Sequence, residues 1–505
     1  MARYKHADKD QYRIVTLNFG ELFPEDHSLS KLLELLGQFD LSKFDEGYSN
    51  DTQKGGRPAI PPDRMLAILI YSLLYGNISM RNLERDLHQR ADLMFLAGGL
   101  SFDHSLVSVF RKRHGEAIKH LFSQTVFVGI EAGLIDLNNV CIDSTKIKAS
   151  ANRRDIGDEK QLKKRLEKVE EVCNKRYTQW QASSDEDEKQ YLAKKLESYE
   201  HQKKKINKGI EFLKKNEDKK RIHLTDADAD WHKDGSNHFI VAYSAQNAVD
   251  AKSKMIVHQE VVTGQADSNY TVDMVKAVEQ VKEEFLPEKT EPVKYILDCG
   301  YASEDNLEKL SNHEVYMPDR EYAREMGGKV KPEDRKQEND QVLKFDYNCE
   351  NDTFSCAAGG ILTYRRIKMF NGKQYRTYRK HGCGTCAMQL SCAGKNTRKE
   401  IHIPQADYQL TKQKLMAHYG QSNKTRIACV GGVLTQKMRE KLSTATGRKT
   451  YSLRFEVVEG VFGIMKEIRH GYEFLRRGLD RVQIEWSERS IAHNIAKLLE
   501  FHRVY

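Results

Sequence analysis

Between residues 155 and 220 the chain is almost continuously charged, yet apolar residues recur in it at a fixed beat. Leu192, Leu196, Tyr199, Ile206, Ile210 and Leu213 follow a four-three spacing that skips only Lys203. Leu162, Leu166 and Val169 repeat it earlier, and "QASSDEDEK" interrupts it. A thin apolar stripe on a solvated helix finds cover against a second such stripe. The stretch therefore predicts an antiparallel helical hairpin, a coiled-coil arm. Its flanks are of another kind. In "NNVCIDSTKIKAS" (138–150), Val140 and Ile142 flank polar positions and Ile147 resumes the pattern, which predicts a strand with Asp143 near its middle or end. "HFIVAYSAQNAVDAKSKMIVHQEVVTG" predicts two more strands, about 238–249 and 254–263, joined by a turn at 250–253. The arm is thus an insertion into a sheet.

Beyond the strand pair come a helix ("NYTVDMVKAVEQVKEEF"), a buried strand ("VKYILDCGYAS"), a helix ("EDNLEKLSN") and a short strand ("VYMPDR"). That order is compatible with an α/β fold, a mixed sheet flanked by helices. Asp298 then falls at the C-terminal end of its strand, where open sheets place catalytic groups.

Residues 1–135 read as helical. Pro61 or Pro62 opens the apolar helix after "GGRPAIPPDR", and Ser79 caps "MRNLERDLHQRADLMFLAG". Ser105 opens "LVSVFRKRHGEAIKHLFSQTVFVGIEAG", whose first turns carry Arg111, Lys112, Arg113 and His114. Short helices of this kind fit a helix-turn-helix DNA-binding module or a plain bundle with a solvated basic face. The net charge of +9 is compatible with a polyanionic partner. The start, "MARYKHADKDQYRIV", has no signal-peptide core, and the longest apolar run, Met65 to Gly76, is too short to span a bilayer. A soluble, cytoplasmic chain with no membrane partner is expected.

Hard divalent cations take oxygen ligands, and two of them can activate the attacking oxygen and stabilise the leaving one in phosphoryl transfer. Asp143 and Asp298 suit that role, because a strand end holds a carboxylate rigidly. A third acid is offered by "YSLRFEVVEGVFGIMK" (451–466). Val457, Val461, Ile464 and Met465 fall on one side of a helix, while Glu459 and Lys466, seven apart, share a stripe on the other.

"VCIDSTKIKASAN", "YILDCGYASEDN" and the tail from Tyr451 to Leu498 together resemble the DDE-type transposases of bacterial insertion sequences. The resemblance implies an RNase H-like core, split here as 136–320 and 406–505 with the arm at 155–220 inserted. It also implies a catalytic triad of Asp143, Asp298 and Glu459 holding two Mg²⁺ (or Mn²⁺) ions. The Tyr–Arg–Glu–Lys signature of one branch would read Tyr451, Arg454, Glu459 and Lys466, with the Arg-to-Glu gap one residue longer than in the commonest pattern. Arg454 and Lys466 are the phosphate contacts it implies, with Tyr451 beside the cut. Glu456 competes for the acid position but lacks the lysine seven residues on. His493 and Asn494, set among Ile491, Ile495 and Leu498, read as a helix-packing pair outside the site.

Four of the nine cysteines lie between Cys356 and Cys392. Cys383 and Cys386 form a C-x-x-C knuckle, and Cys356 and Cys392 complete a structural Zn²⁺ set, with His381 or Cys349 as substitute ligands. A zinc-ribbon-like insertion near 345–405 is expected; buried or redox-active thiols are the alternative. Its Arg, Lys and Tyr residues ("YRRIKMF", "YRTYRKHG") suit either DNA contact or a solvated face. The function expected is a DNA transposase binding its terminal inverted repeats and target DNA, as a homodimer or larger assembly on paired ends. An RNase H-like nuclease and a catalytically dead DNA-binding regulator are the alternatives.

Overall fold

The computed structural model describes residues 16–504 apart from 47, 49–57, 77–78, 217–218, 235–237, 265, 321, 324–343, 349–350, 357, 371–372, 387–397, 406–423 and 429–432. The chain forms two compact units. One contains the residues up to Tyr301, Leu310–Tyr316 and Ala445–Tyr505; the other contains Ala302–Lys309 and Met317–Thr444.

The first unit is built on strand β1 (Asn139–Lys148). On one side β1 pairs antiparallel with β5 (Phe239–Asp250), from Val140 opposite Asp250 to Lys148 opposite Ala242. On the other it runs parallel to β7 (Lys294–Leu297), which is itself parallel to β8 (Glu314–Tyr316). The outer edge of β5 is shared: β4 (Asp230–Lys233) covers its first part and β6 (Ile256–Val262) its last, both antiparallel. From β6 inward the sheet thus has three antiparallel strands followed by two parallel ones. From Val241 to Asp250, β5 is buried without a break, as befits a strand covered on both faces. The predicted strands and the α10 helix (Thr271–Phe285) form where the sequence places them; β4 is too short to leave a pattern in the sequence.

The predicted arm is α8 (Glu159–Ala182) and α9 (Glu186–Lys215), two antiparallel helices packed on each other. Asp158 and Gln161 form a capping box at the start of α8, and a two-residue ladder of β2 (Ile156–Gly157) with β3 (Ile222–His223) ties the root. Leu162, Ile206, Ile210, Leu213 and Ile222 make its core, with Leu166 and Val169 packed against them.

The N-terminal helices are α1 (Phe19–Leu22), α2 (Ser28–Gly37), α3 (Pro62–Leu74), α4 (Met80–Asp86), α5 (Ala91–Leu96), α6 (His104–Arg113) and α7 (Gly115–Glu131). Pro62 opens α3 and Ser79 caps α4, as the sequence predicts. Two helices expected to be continuous are broken, one between Asp86 and Ala91 and one at His114; Asp103, not Ser105, caps α6. These helices share their unit with the sheet, since α3 and α7 pack on the last helix, α14 (Leu479–Val504). Gly115 permits this contact: a Cβ there would stand 2.6 Å from the Ile484 side chain. Asn494 of α14 accepts from the Ile256 N–H at 2.9 Å and donates to its carbonyl at 2.9 Å, pairing with β6 as another strand would. His493 donates through Nε2 to the Lys254 carbonyl at 2.8 Å. Both are buried packing residues.

The second unit is an antiparallel sheet of β9 (Lys344–Asn348), β10 (Thr353–Ser355), β11 (Ile361–Phe370), β12 (Lys373–His381), β13 (Arg398–Pro404) and β14 (Lys424–Ala428), in the order β13-β12-β11-β10-β9-β14. With it go α11 (Glu304–Lys309) and α12 (Val433–Ser443). The Glu304 carboxylate accepts from the Leu434 and Thr435 N–H groups, and Arg439 pairs with Asp319 at 2.7 Å.

Candidate active site

The parallel ladder of β1 and β7 ends at Ile142 opposite Leu297, both fully buried. The next residue on each strand is an aspartate. Register alone therefore sets Asp143 and Asp298 side by side at the carboxyl end of the parallel pair, where the strands part.

Helix α13 (Ala445–Gly463) crosses this end and inserts Arg454. Its Nη2 donates to Asp143 Oδ2 at 2.7 Å and lies 3.5 Å from Asp298 Oδ1. Asp143 also accepts from the Ser144 N–H at 2.7 Å. Burial pushes the Asp143 carboxyl up to about 6; Arg454 pulls it down and the Asp298 charge adds to the rise. Burial works against the Arg454 charge, yet Asp143 and Asp298 hold it firmly protonated. Tyr451, one turn earlier, is buried with its ring 6.1 Å from that of Phe455, and burial raises its phenol.

Past Gly463 the helix widens into a π-turn, Ile464–Ile468, which carries Lys466. Burial lowers the Lys466 ammonium, which also feels Glu467, Lys146 and Asp143. Glu459 is exposed, and among the described residues no hydrogen bond or ion pair ties it to either aspartate. The competitor Glu456 accepts from Lys254 at 3.0 Å on the surface. Of the predicted site residues, the structure brings together Asp143, Asp298 and Arg454, with Tyr451 and Lys466 near enough to act electrostatically.

A second layer leaves no mark in the sequence. On the sheet face bearing Ser144, the Lys146 ammonium donates to Asp267 at 2.9 Å, Ser244 at 2.6 Å and Ser144 at 3.1 Å. Gln246 donates to Asp267 at 3.0 Å and accepts from the Tyr301 hydroxyl. Burial would raise the Asp267 carboxyl, but Lys146, Gln246 and Ser144 together outweigh it and hold it low. Gly300 marks how near this layer is to the pair: a Cβ there would lie 3.5 Å from Asp267 Oδ2 and 3.9 Å from Asp298 Oδ2. In the sequence Asp267 reads only as a helix lead-in; no signal short of the fold would have found it.

Two other basic segments turn inward. Arg111 is buried, its Nε donating to Glu488 at 2.8 Å, and His114 is buried against Tyr48. In the second unit Arg376 pairs with Asp352 at 2.8 Å, and Lys368 and Arg379 share Glu400 at 2.6 Å each. Lys112 and Arg113 are exposed.

The second unit also gathers cysteines. Cys356 opens the turn between β10 and β11, where its sulfur accepts from the Gly360 N–H at 3.2 Å. Cys383 and Cys386 follow β12, with Gly382 taking a left-handed φ of 75° at the knuckle. Ser355 faces Ile361 and Thr363 faces Arg379, so turn and knuckle sit at the same end of the sheet. None of the three is in a disulfide, and His381 is exposed. Cys392 and Cys349 lie outside the described residues. Among the described residues no group of three His, Cys, Asp or Glu is arranged to hold a metal ion.

Two domain families match the chain. Residues 17–113 match the family described as Transposase domain (DUF772), and residues 355–499 match the family described as Transposase DDE domain. Together the two matches indicate an insertion-sequence DDE transposase. The second match takes in Cys356, the strands of the second unit from β11 onward and the helix that delivers Arg454. Neither the curated proteins nor the solved structures gave a match. Among the described residues, no helix is long and apolar enough to cross a membrane.

Proposed function

We propose that the transposase binds the terminal inverted repeats of its own element as double-stranded DNA, cuts there and joins the freed 3′ ends to target DNA. The observation that carries this reading is the strand register that leaves Asp143 and Asp298 abreast. Two carboxylates on rigid strand ends form a hard-oxygen pair suited to Mg²⁺ or Mn²⁺, and the Arg454 guanidinium already stands there as a cation. Bound divalent ions supply Lewis-acid stabilisation and an activated oxygen nucleophile. Asp143 and Asp298 would hold them, with Glu459 the third acid from the same helix as Arg454. Arg454 and Lys466 would neutralise phosphate charge, and buried Tyr451 would fix the helix. The three antiparallel and two parallel strands support an RNase H-like core for this chemistry. Cys356, Cys383, Cys386 and Cys392 would hold a structural Zn²⁺ in the second unit.

The test is cleavage and joining of a linear duplex carrying the element end. Asp143→Asn, Asp298→Asn and Glu459→Gln should each lower cleavage by about a thousandfold, the several kcal/mol that metal-assisted charge stabilisation provides, while leaving DNA binding in place. Cleavage that persists in Asp143→Asn would overturn the assignment. Cut ends without joined product would identify a nuclease, and no product from the unmodified chain a regulator. The mass of the protein–DNA complex reports whether paired ends need two chains.

A further inference from the structure

A cleft of about 810 Å³ opens at the root of the arm, far from the paired aspartates along the sheet. Arg153, Lys164, Arg165, Lys168, Lys220 and Arg221 line it, with Trp231 of β4 in its wall. Asp158 is the acid of the lining, and it is committed to the α8 capping box. Arg165 is fixed by donating to the Ile156 carbonyl at 2.9 Å, and the Arg153 guanidinium lies over the Trp231 ring at 5.4 Å. Lys164, Lys168, Lys220 and Arg221 are exposed and make no ion pair with another described residue. Lys164 and Lys168, one helical turn apart, repel each other. Like charges gathered in a concave surface raise the free energy of the bare protein, and a polyanion relieves it.

We propose that this cleft is a second DNA contact of the transposase, gripping the sugar–phosphate backbone outside the cutting site. The inference rests on the reading of the chain as a DNA-cutting enzyme and adds a place to it. Trp231 pairs opposite Val241 and Asp143 opposite Asn247 on the one strand β5. Six residues of strand separate those positions, roughly 20 Å at the usual rise. A duplex lying along the sheet advances about six base pairs over that distance, at 3.4 Å per step. The six cations then track phosphates on the flank of the cut, and Trp231 offers an apolar face to the sugars. The arm brings no chemistry of its own; its root completes the cleft.

Salt titration of the full chain on a duplex carrying the element end tests this, alongside a phosphate-interference footprint. Replacing the exposed Lys164, Lys168 and Arg221 by alanine leaves the arm's core untouched. The variant should lower the slope of log Kd against log salt by about 2–3, since each lost phosphate contact is worth about 0.9. Kd should rise at least tenfold, and interference about six nucleotides from the cut should vanish. Trp231→Phe should abolish the DNA-dependent change in tryptophan fluorescence. An unchanged slope and footprint in the triple variant overturn the inference, whatever its cleavage activity. The two readings fail separately: Asp143→Asn that still cuts sinks the active-site assignment, while its binding slope continues to report on the cleft.

Discussion

Asp267 makes the clearest case at the scale of single residues. Its bond to Lys146 lies directly behind the aspartate pair, with both side chains about one-fifth exposed. Removing one partner leaves the other charge mostly buried and unpaired, which costs about 1–3 kcal/mol. Asp267→Asn should therefore destabilise the fold, Lys146→Met likewise, and the double variant less than their sum. Urea unfolding of the four proteins gives the coupling; a value near zero would mean the contact carries nothing. The sequence reaches Asp143 and Asp298 because an apolar strand run ending in aspartate is a local signal. It cannot reach Asp267, whose meaning comes from a strand partner 121 residues away. Nor can it tell that Arg111 points inward, because the acid that receives it is 377 residues further on.

For whole elements, local pattern is a good guide where the period stays constant. The arm, β1, β5, β6 and α10 all form where the sequence pattern predicts them. The stripe joining Glu459 to Lys466 assumes one period throughout, but the π-turn at Ile464–Ile468 changes the angle per residue just before Lys466. Lys466 is half-buried there and feels the Asp143 charge, while Glu459 is exposed. In the second unit the strand register gathers the Cys356 turn and the Cys383 knuckle, which spacing alone leaves undecided between metal site and free thiols. If Zn²⁺ is held there, the purified chain should contain about one zinc per protein. Cys383→Ser with Cys386→Ser should lose it and lower the melting temperature, since structural zinc contributes folding energy directly. Four freely titrating thiols in the native, metal-free chain would refute the site.

The molecule as a whole carries buried histidines that make it sensitive to acid. Burial pushes His232 down to about 4 and His493 down to about 3. Both lie below the unfolded value of about 6.5, so the unfolded chain takes up protons first. Stability from this source is complete above about pH 6.5 and is lost as pH falls toward the folded values. Each histidine should cost about 1.4 kcal/mol between pH 7.5 and 5.5. Asp143, raised to about 6, opposes this, because its folded form binds a proton more readily. His493→Gln isolates one contribution: its urea midpoint should shift less over that pH range than the unmodified chain's, and an equal shift would refute the buried neutral ring.

The guanidinium that bridges the paired aspartates is 311 residues from Asp143 in the chain. During synthesis the two acids leave the ribosome long before their cation does. Helices α3 and α7, made early, likewise wait for α14, made much later, to cover them. A chain released before residue 454 therefore keeps the basic arm root and both aspartates but has no helix to hold Arg454, Glu459 or Lys466. Assembly of the aspartate–arginine cluster thus waits on synthesis of the helix that delivers Arg454, and a copy ended before it cannot neutralise the paired acids from within.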